Sequence, residues 1–222
     1  MSTFSAQTTP IVWIDCEMTG LDIEHDDLVE IAVVVTDSEL HPYNAGLNLV
    51  IKPSAQAVAN MDSFVRTMHT RTGLIDKWDD GLTIPDAQKK VLAYVKRFVP
   101  EARKAQIGGN SIGMDKMFLS RDMPELIEHL HYRVIDVSTI KELAKRWYPR
   151  VYFAAPAKTG NHTALGDIYD SIDELRYYRK ALFPDGDGPS SEEANSYAKE
   201  ICENLTRTQA EEHAMQRARG DE

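Results

Sequence analysis

An apolar run, Ile11-Val12-Trp13-Ile14, leads directly into Asp15-Cys16-Glu17-Met18-Thr19-Gly20. The run is rich in β-branched residues and reads as a buried strand. Side chains alternate along a strand, so Asp15 and Glu17 project from one face and Cys16 from the other. Adjacent like charges on one strand face repel each other. A hard cation with a preference for oxygen ligands, such as Mg²⁺ or Mn²⁺, would relieve that repulsion. Taken alone, Asp-x-Glu is a weak signal that two solvated acids at a strand end fit better, and the decision falls to the other polar residues of the chain.

The chain has 222 residues, 42% of them hydrophobic. That suits one α/β domain with a sizeable core and an appendage, and it excludes wholesale disorder. Two cysteines, Cys16 and Cys202, form no Cys-x-x-Cys pair, so neither a disulfide framework nor a zinc site is suggested. No apolar run of about eighteen residues appears, and the N-terminus lacks a basic-then-apolar signal pattern. A cytoplasmic protein without a membrane segment is expected. The net charge is −10, of which −6 lies in residues 184–222. An acidic chain is poorly suited to long duplex nucleic acid, which needs many Lys and Arg contacts to phosphate. A short nucleotide substrate is still open, because metal ions can supply the positive charge.

After a polar N-terminus over residues 1–10, Ile11 opens the first strand. Leu28–Thr36 and Gly46–Ile51 read as the second and third strands, in an antiparallel meander. Residues 54–71 turn helical, as two short helices. The spacing of Val91, Leu92, Val95 and Phe98 predicts an amphipathic helix over 84–98, with Pro85 in its first turn. A short strand over 105–109 enters a helix near Met114. Tyr132–Val137 is a fifth strand, followed by a helix to Trp147 with Ser138 as its N-cap. Residues 148–160 read as irregular, and Thr163–Leu182 as a long helix. The expected fold is α/β, a mixed five-stranded sheet flanked by helices, occupying residues 11–183. Residues 184–222 form a linker and an acidic C-terminal tail, with a helix opened by the Ser190-x-x-Glu193 capping box.

Ligands gather at strand ends where loops enter helices in sheets of this kind. Asp115 is placed there, although a first-turn acid also suits the helix dipole. His162 and Asp167 stand at the mouth of the last long helix, where a capping histidine and a solvated acid are the plainer reading. Four carboxylates in one cleft would repel strongly without cations. Two divalent ions about 3.5–4 Å apart would make them a site for phosphoryl chemistry, and His162 could deprotonate the attacking water.

Asp15-x-Glu17, Asp115 and His162-x-x-x-x-Asp167 resemble the three motifs of the DEDDh family of 3′→5′ exonucleases. Thr163, four residues before Asp167, stands where the other branch carries a tyrosine. The stretches Trp13-Ile14-Asp15-x-Glu17-Met18-Thr19-Gly20-Leu21, Gly109-Asn110-Ser111-Ile112-Gly113-x-Asp115 and His131-Tyr132-Arg133-x-x-Asp136-Val137-Ser138-Thr139 are similar to the oligoribonuclease branch. The likeness covers residues 11–183 and leaves the acidic tail outside.

The resemblance implies a ribonuclease-H-like fold and a homodimer. It also implies that Asp15, Glu17, Asp115 and Asp167 hold two Mg²⁺ or Mn²⁺ ions, with His162 as general base. The substrate would be short single-stranded RNA of two to about five nucleotides, dinucleotides above all, held largely by stacking. Leu21 matches an apolar wedge beside one base, and Tyr132 an aromatic that stacks on a base from the neighbouring subunit. Ser111, Arg133, Ser138 and Thr139 match a polar cap on the 5′ phosphate, which an Arg and helix-start donors suit. His69 matches a pocket histidine. Phe64 stands where oligoribonucleases usually carry a tryptophan, and offers a smaller stacking surface. Two rivals are expected to differ in substrate or catalysis: a DNA-trimming or proofreading exonuclease, and a nucleotide-binding module without activity.

Overall fold

The computed structural model describes residues 9–157, 163–184 and 186–203. The first strand, β1 (Ile11–Met18), lies at the centre of a five-stranded sheet of order β3-β2-β1-β4-β5. β2 (Leu28–Thr36) and β3 (Leu47–Val50) extend it as the expected antiparallel meander. β4 (Gln106–Gly109) runs parallel to β1, and β5 (His131–Asp136) runs parallel to β4 at the sheet edge. In the β1–β2 register Glu17 stands directly opposite Glu30, with an irregularity between Glu17 and Met18.

The alternation of β1 sorts its residues between two layers. Val12, Ile14 and Cys16 join a buried apolar cluster with α3 (Ile84–Phe98), α4 (Gly113–Asp122) and α5 (Pro124–His129), through Val91, Val95, Phe118 and Leu126 among others. Trp13 faces the other way, and its Nε1 donates to Thr36 Oγ1 at 3.0 Å. That neutral hydrogen bond satisfies a buried donor, for a net gain of about 1 kcal/mol. Asp15 and Glu17 continue the Trp13 face. The long helix α8 (Ala164–Leu182) reaches that side, where the Ala164 N–H donates to Glu30 Oε2.

Two short helices, α1 (Ala55–Asn60) and α2 (Ser63–Arg71), occupy the segment expected to hold them. α3 covers the expected residues, with Thr83 as N-cap and Pro85 in its first turn. α6 (Val137–Trp147) begins one residue before Ser138, so its N-cap is Asp136, whose carboxylate accepts the Ser138 N–H at 2.9 Å. A carboxylate caps as well as a hydroxyl and adds a favourable charge at the helix start. Part of the segment read as irregular is helical, as α7 (Pro149–Phe153), whose proline sits at the first turn, where a missing N–H costs nothing.

One compact unit ends at Arg179 and a second begins at Lys180. In the second, residues 191–203 are helical. The Ser190 N–H and hydroxyl donate to Glu193, and Ser190 Oγ accepts the Glu193 N–H, the reciprocal pairing of a capping box. Residues 204–222 of the tail lie outside the described residues. Among the described residues no helix is long and apolar enough to cross a membrane.

Candidate metal centre and substrate pocket

Two acidic residues near the C-terminal end of β1 meet a third from α8. One carboxylate oxygen from each of Asp15, Glu17 and Asp167 lies within 4.8 Å of the others. Period-two alternation brings the first two together. The third is carried in by the first turn of α8, where Thr163 accepts the N–H groups of Gly166 and Asp167. Asp115, in the first turn of α4, is buried beside the cluster but not in that close group, because its Oδ1 accepts the backbone N–H of Cys16 at 2.9 Å. This bond ties α4 to the strand residue between Asp15 and Glu17. His162 lies outside the described residues.

The electrostatics fit a cation site. Burial, followed by the charges of Glu30, Asp167 and Asp115, pushes Glu17 up from its usual 4.5 to about 8. Burial pushes Asp115 from 3.8 to about 6, against backbone N–H donors that pull it down. The Cys16 thiol, buried among the same acids, is raised well above its usual range. Carboxylates so disfavoured in their charged form gain most from a cation, and an all-oxygen donor set suits a hard divalent one.

Glu30 is a further acid beside the cluster that the sequence motifs do not single out. It is buried, accepts from Asn48 Nδ2 at 2.9 Å and from the Ala164 N–H, and faces Glu17 across the strand pair. Its signal was a single charge inside the otherwise apolar Leu28–Val35, since a fully buried acid is rare unless something holds it.

Around this centre the expected substrate residues divide into groups. Leu21 is 67% and Phe64 76% exposed. Leu21 projects from a loop fixed from below: Thr19 donates to Asp26 Oδ1 at 2.8 Å and accepts the Asp27 N–H at 3.0 Å. A Cβ on Gly20 would stand 2.3 Å from Asp26 Oδ2, so only glycine lets that carboxylate close the loop. His69 is buried and donates from Nε2 to the Met18 carbonyl at 2.9 Å, with Trp78 edge-on to its ring. It steadies the end of the metal strand rather than presenting a free ring.

Ser111 and Ser138 are brought together. The Ser111 N–H donates to Ser138 Oγ at 3.0 Å and to Asp136 Oδ1 at 2.9 Å, and the two hydroxyls are 3.1 Å apart. Ser111 adopts φ +52 to do so. A left-handed non-glycine residue costs roughly 1–3 kcal/mol and persists where surrounding contacts impose it. Arg133 and Thr139 are exposed on β5 and in the first turn of α6. Tyr132 is 71% exposed on the edge strand, stacked on His131 with ring centroids 4.5 Å apart. The Arg133 guanidinium lies 5.5 Å from the Tyr132 ring centroid.

Sheet order and acidic cluster together define a ribonuclease-H-like exonuclease, and residues 12–175 match the Exonuclease family of the RNase T type. The oligoribonuclease of Leifsonia xyli is 55% identical over 196 residues, 88% of this chain and 95% of that protein. The oligoribonuclease of Mycobacterium leprae is 48% identical over 184 residues, 82% and 86% respectively. Among solved structures, Escherichia coli Exonuclease I in complex with a dT13 oligonucleotide superposes with a TM-score of 0.58 at 14% identity, covering 78% of this chain. Exonuclease I of Methylocaldum szegediense gives 0.55 at 18% identity, also over 78%. The chain spans 42% and 41% of those two proteins, and the likeness to them is one of fold. By its likeness to the curated relatives, the chain belongs to the oligoribonuclease family of exonucleases.

Proposed function

We propose that this chain is a metal-dependent 3′→5′ exoribonuclease of the cytoplasm that degrades very short oligoribonucleotides, dinucleotides above all, to nucleoside 5′-monophosphates. The convergence of Asp15, Glu17 and Asp167 carries the reading. With Asp115 they would hold two divalent ions, Mg²⁺ or Mn²⁺. When bound, such a pair neutralises the carboxylates and stabilises charge on the attacking and leaving oxygens at phosphorus. His162, in its neutral form, takes the proton of the attacking water. The bond from phosphorus to the 3′ oxygen breaks, and the phosphate stays on the released mononucleotide.

The remaining residues orient the substrate. Leu21 and Phe64 offer exposed surfaces to bases, where stacking contributes roughly 1–3 kcal/mol per base whatever its identity. Ser111, Ser138, Thr139 and Arg133 hold the 5′ phosphate, and Arg suits it through its fixed fork of donors. His69 acts through Met18, next to Glu17. The working form is a homodimer in which Tyr132 of the partner subunit completes the base platform. Support for this is an edge strand that leaves Tyr132 and Val134 exposed.

The test is hydrolysis of a labelled diribonucleotide with Mg²⁺, and again with EDTA, beside a long RNA and a short DNA strand. Rapid release of 5′-mononucleotides from the diribonucleotide alone, lost in EDTA, is expected. Preferential trimming of DNA would move the chain to the proofreading class, and binding without cleavage would make it a nucleotide-binding module.

A further inference from the structure

Asn110 lies between the two halves of the site. Its Oδ1 accepts the Ser138 hydroxyl at 3.0 Å. Its Nδ2 donates to Ser171 Oγ at 2.8 Å and to Glu174 Oε2 at 3.1 Å, both on α8. Ser171 in turn donates to the carbonyl of Asp167 at 2.8 Å. A single carboxamide thus joins the Ser111–Ser138 pair to the helical turn that carries Asp167.

A second link runs in parallel. Glu174 is buried, and its other oxygen pairs with Lys141 of α6 at 3.0 Å. α6 also carries Ser138 and Thr139. Glu174 therefore receives donors from the turn after β4 and from α6, and it sits two turns beyond Asp167 on α8. Buried, fully partnered polar networks hold one geometry firmly, because any other arrangement leaves a group unsatisfied at low dielectric. Ser138 has one proton and gives it to Asn110. With that proton given to Asn110, the 3.1 Å contact between the two hydroxyls has Ser111 Oγ donating to Ser138 Oγ, which ties the outer end of the network to its inner half.

We propose that Asn110 and Glu174 are positioning residues: they clasp the 5′-phosphate pocket to the Asp167 turn, so that a bound 5′ phosphate speeds turnover as well as tightening binding. The inference rests on the reading of Ser111 and Ser138 as phosphate ligands and of Asp167 as a metal ligand. It adds a reason why a short, 5′-phosphorylated end is the preferred substrate. Phosphate occupancy sets the geometry of the cleavage centre, and an RNA that leaves the pocket empty is cut slowly even when bound.

The experiment compares diribonucleotides with and without a 5′ phosphate, on the wild type, Asn110→Ala and the milder Ser171→Ala. Two quantities are read: kcat at saturating Mg²⁺ and substrate, and the dissociation constant in EDTA, where no turnover occurs. In the wild type, loss of the phosphate lowers kcat and weakens metal-free binding. In both variants the phosphate still strengthens metal-free binding, but its effect on kcat shrinks by roughly tenfold, a coupling of the size seen within one hydrogen-bonded network. An unchanged phosphate effect on kcat in Ser171→Ala and Asn110→Ala overturns the clasp and leaves the phosphate pocket standing. Loss of the phosphate effect on metal-free binding in the variants also overturns it, since Asn110 would then belong to the pocket itself. A wild type whose metal-free binding ignores the phosphate removes the pocket reading and the clasp with it. If Asn110→Ala does not fold, Ser171→Ala decides by the same split.

Discussion

Glu17 gives the site a pH signature that can be read without turnover. Its folded value of about 8 lies above its usual 4.5, and that of Asp115 at about 6 lies above 3.8. Raised values mean that the folded state binds more protons than the unfolded chain between the two limits. The stability these groups contribute is full below pH 4.5 and 3.8 respectively, and is lost as pH rises through about 8 and about 6. Metal-free protein should therefore lose thermal stability from weakly acidic to weakly alkaline pH, and the rise in Tm on adding Mg²⁺ should be larger at pH 8 than at pH 5, tested by thermal melts at both. An equal Mg²⁺ effect at both would argue against a carboxylate site. Asp15→Ala removes one of the repelling charges, so hydrolysis should vanish while the metal-free Tm stays the same or rises. Near wild-type turnover in Asp15→Ala would exclude it as a ligand. The pairing of Asp15 with Glu17 was legible in the sequence because strand alternation fixes it. The burial of His69 was not, since nothing local marks the Met18 carbonyl as its partner.

Long elements with a clear pattern are legible in the sequence, and of the short ones some are and some are not: α1, α2, β3 and β4 fall in the expected segments. β2 and α3 occupy the residues their patterns indicate, because one is a continuous apolar strand and the other a well-capped amphipathic helix. α5 and α7 escaped notice: each is only 6 or 5 residues long, too short to show a period, and each is begun by a proline that also reads as a breaker. Ser138 reads as the cap of α6 because hydroxyls favour that position, yet Asp136 takes it and leaves the Ser138 hydroxyl for Asn110. The contact between β2 and α8 through Glu30 could not be read from spacing, because it joins residues 134 positions apart. Glu30→Gln tests it. Glutamine keeps an acceptor for the Ala164 N–H while removing one charge facing Glu17. The metal-free protein should become more stable, and the Mg²⁺ concentration for half-maximal activity should rise several-fold, measured by melts and by Mg²⁺ titration. A lowered metal-free Tm with an unchanged Mg²⁺ requirement would show that Glu30 is held only for its hydrogen bonds.

At the scale of the whole molecule, the chain divides into a unit that contains every described metal and substrate residue and a second unit of different character. Residues 184–222 carry a net charge of −6 and lie beyond the family match over residues 12–175, although the 196-residue match to the Leifsonia xyli relative extends into them. Truncation after Phe183 should leave diribonucleotide cleavage within about twofold of wild type, the scale of surface changes away from buried features. Loss of dimerisation or activity in the truncated protein, read by sedimentation and initial rates, would assign the tail a structural part. The proposed 5′-phosphate cap makes a stronger statement about substrate length, because a closed pocket leaves no path for a continuing strand. The direct measurement is kcat/KM for 5′-phosphorylated oligoribonucleotides of increasing length, with Mg²⁺ present. A maximum at the dinucleotide, falling steeply with each added nucleotide, is expected; a flat or rising profile, with processive shortening of long RNA, would contradict it.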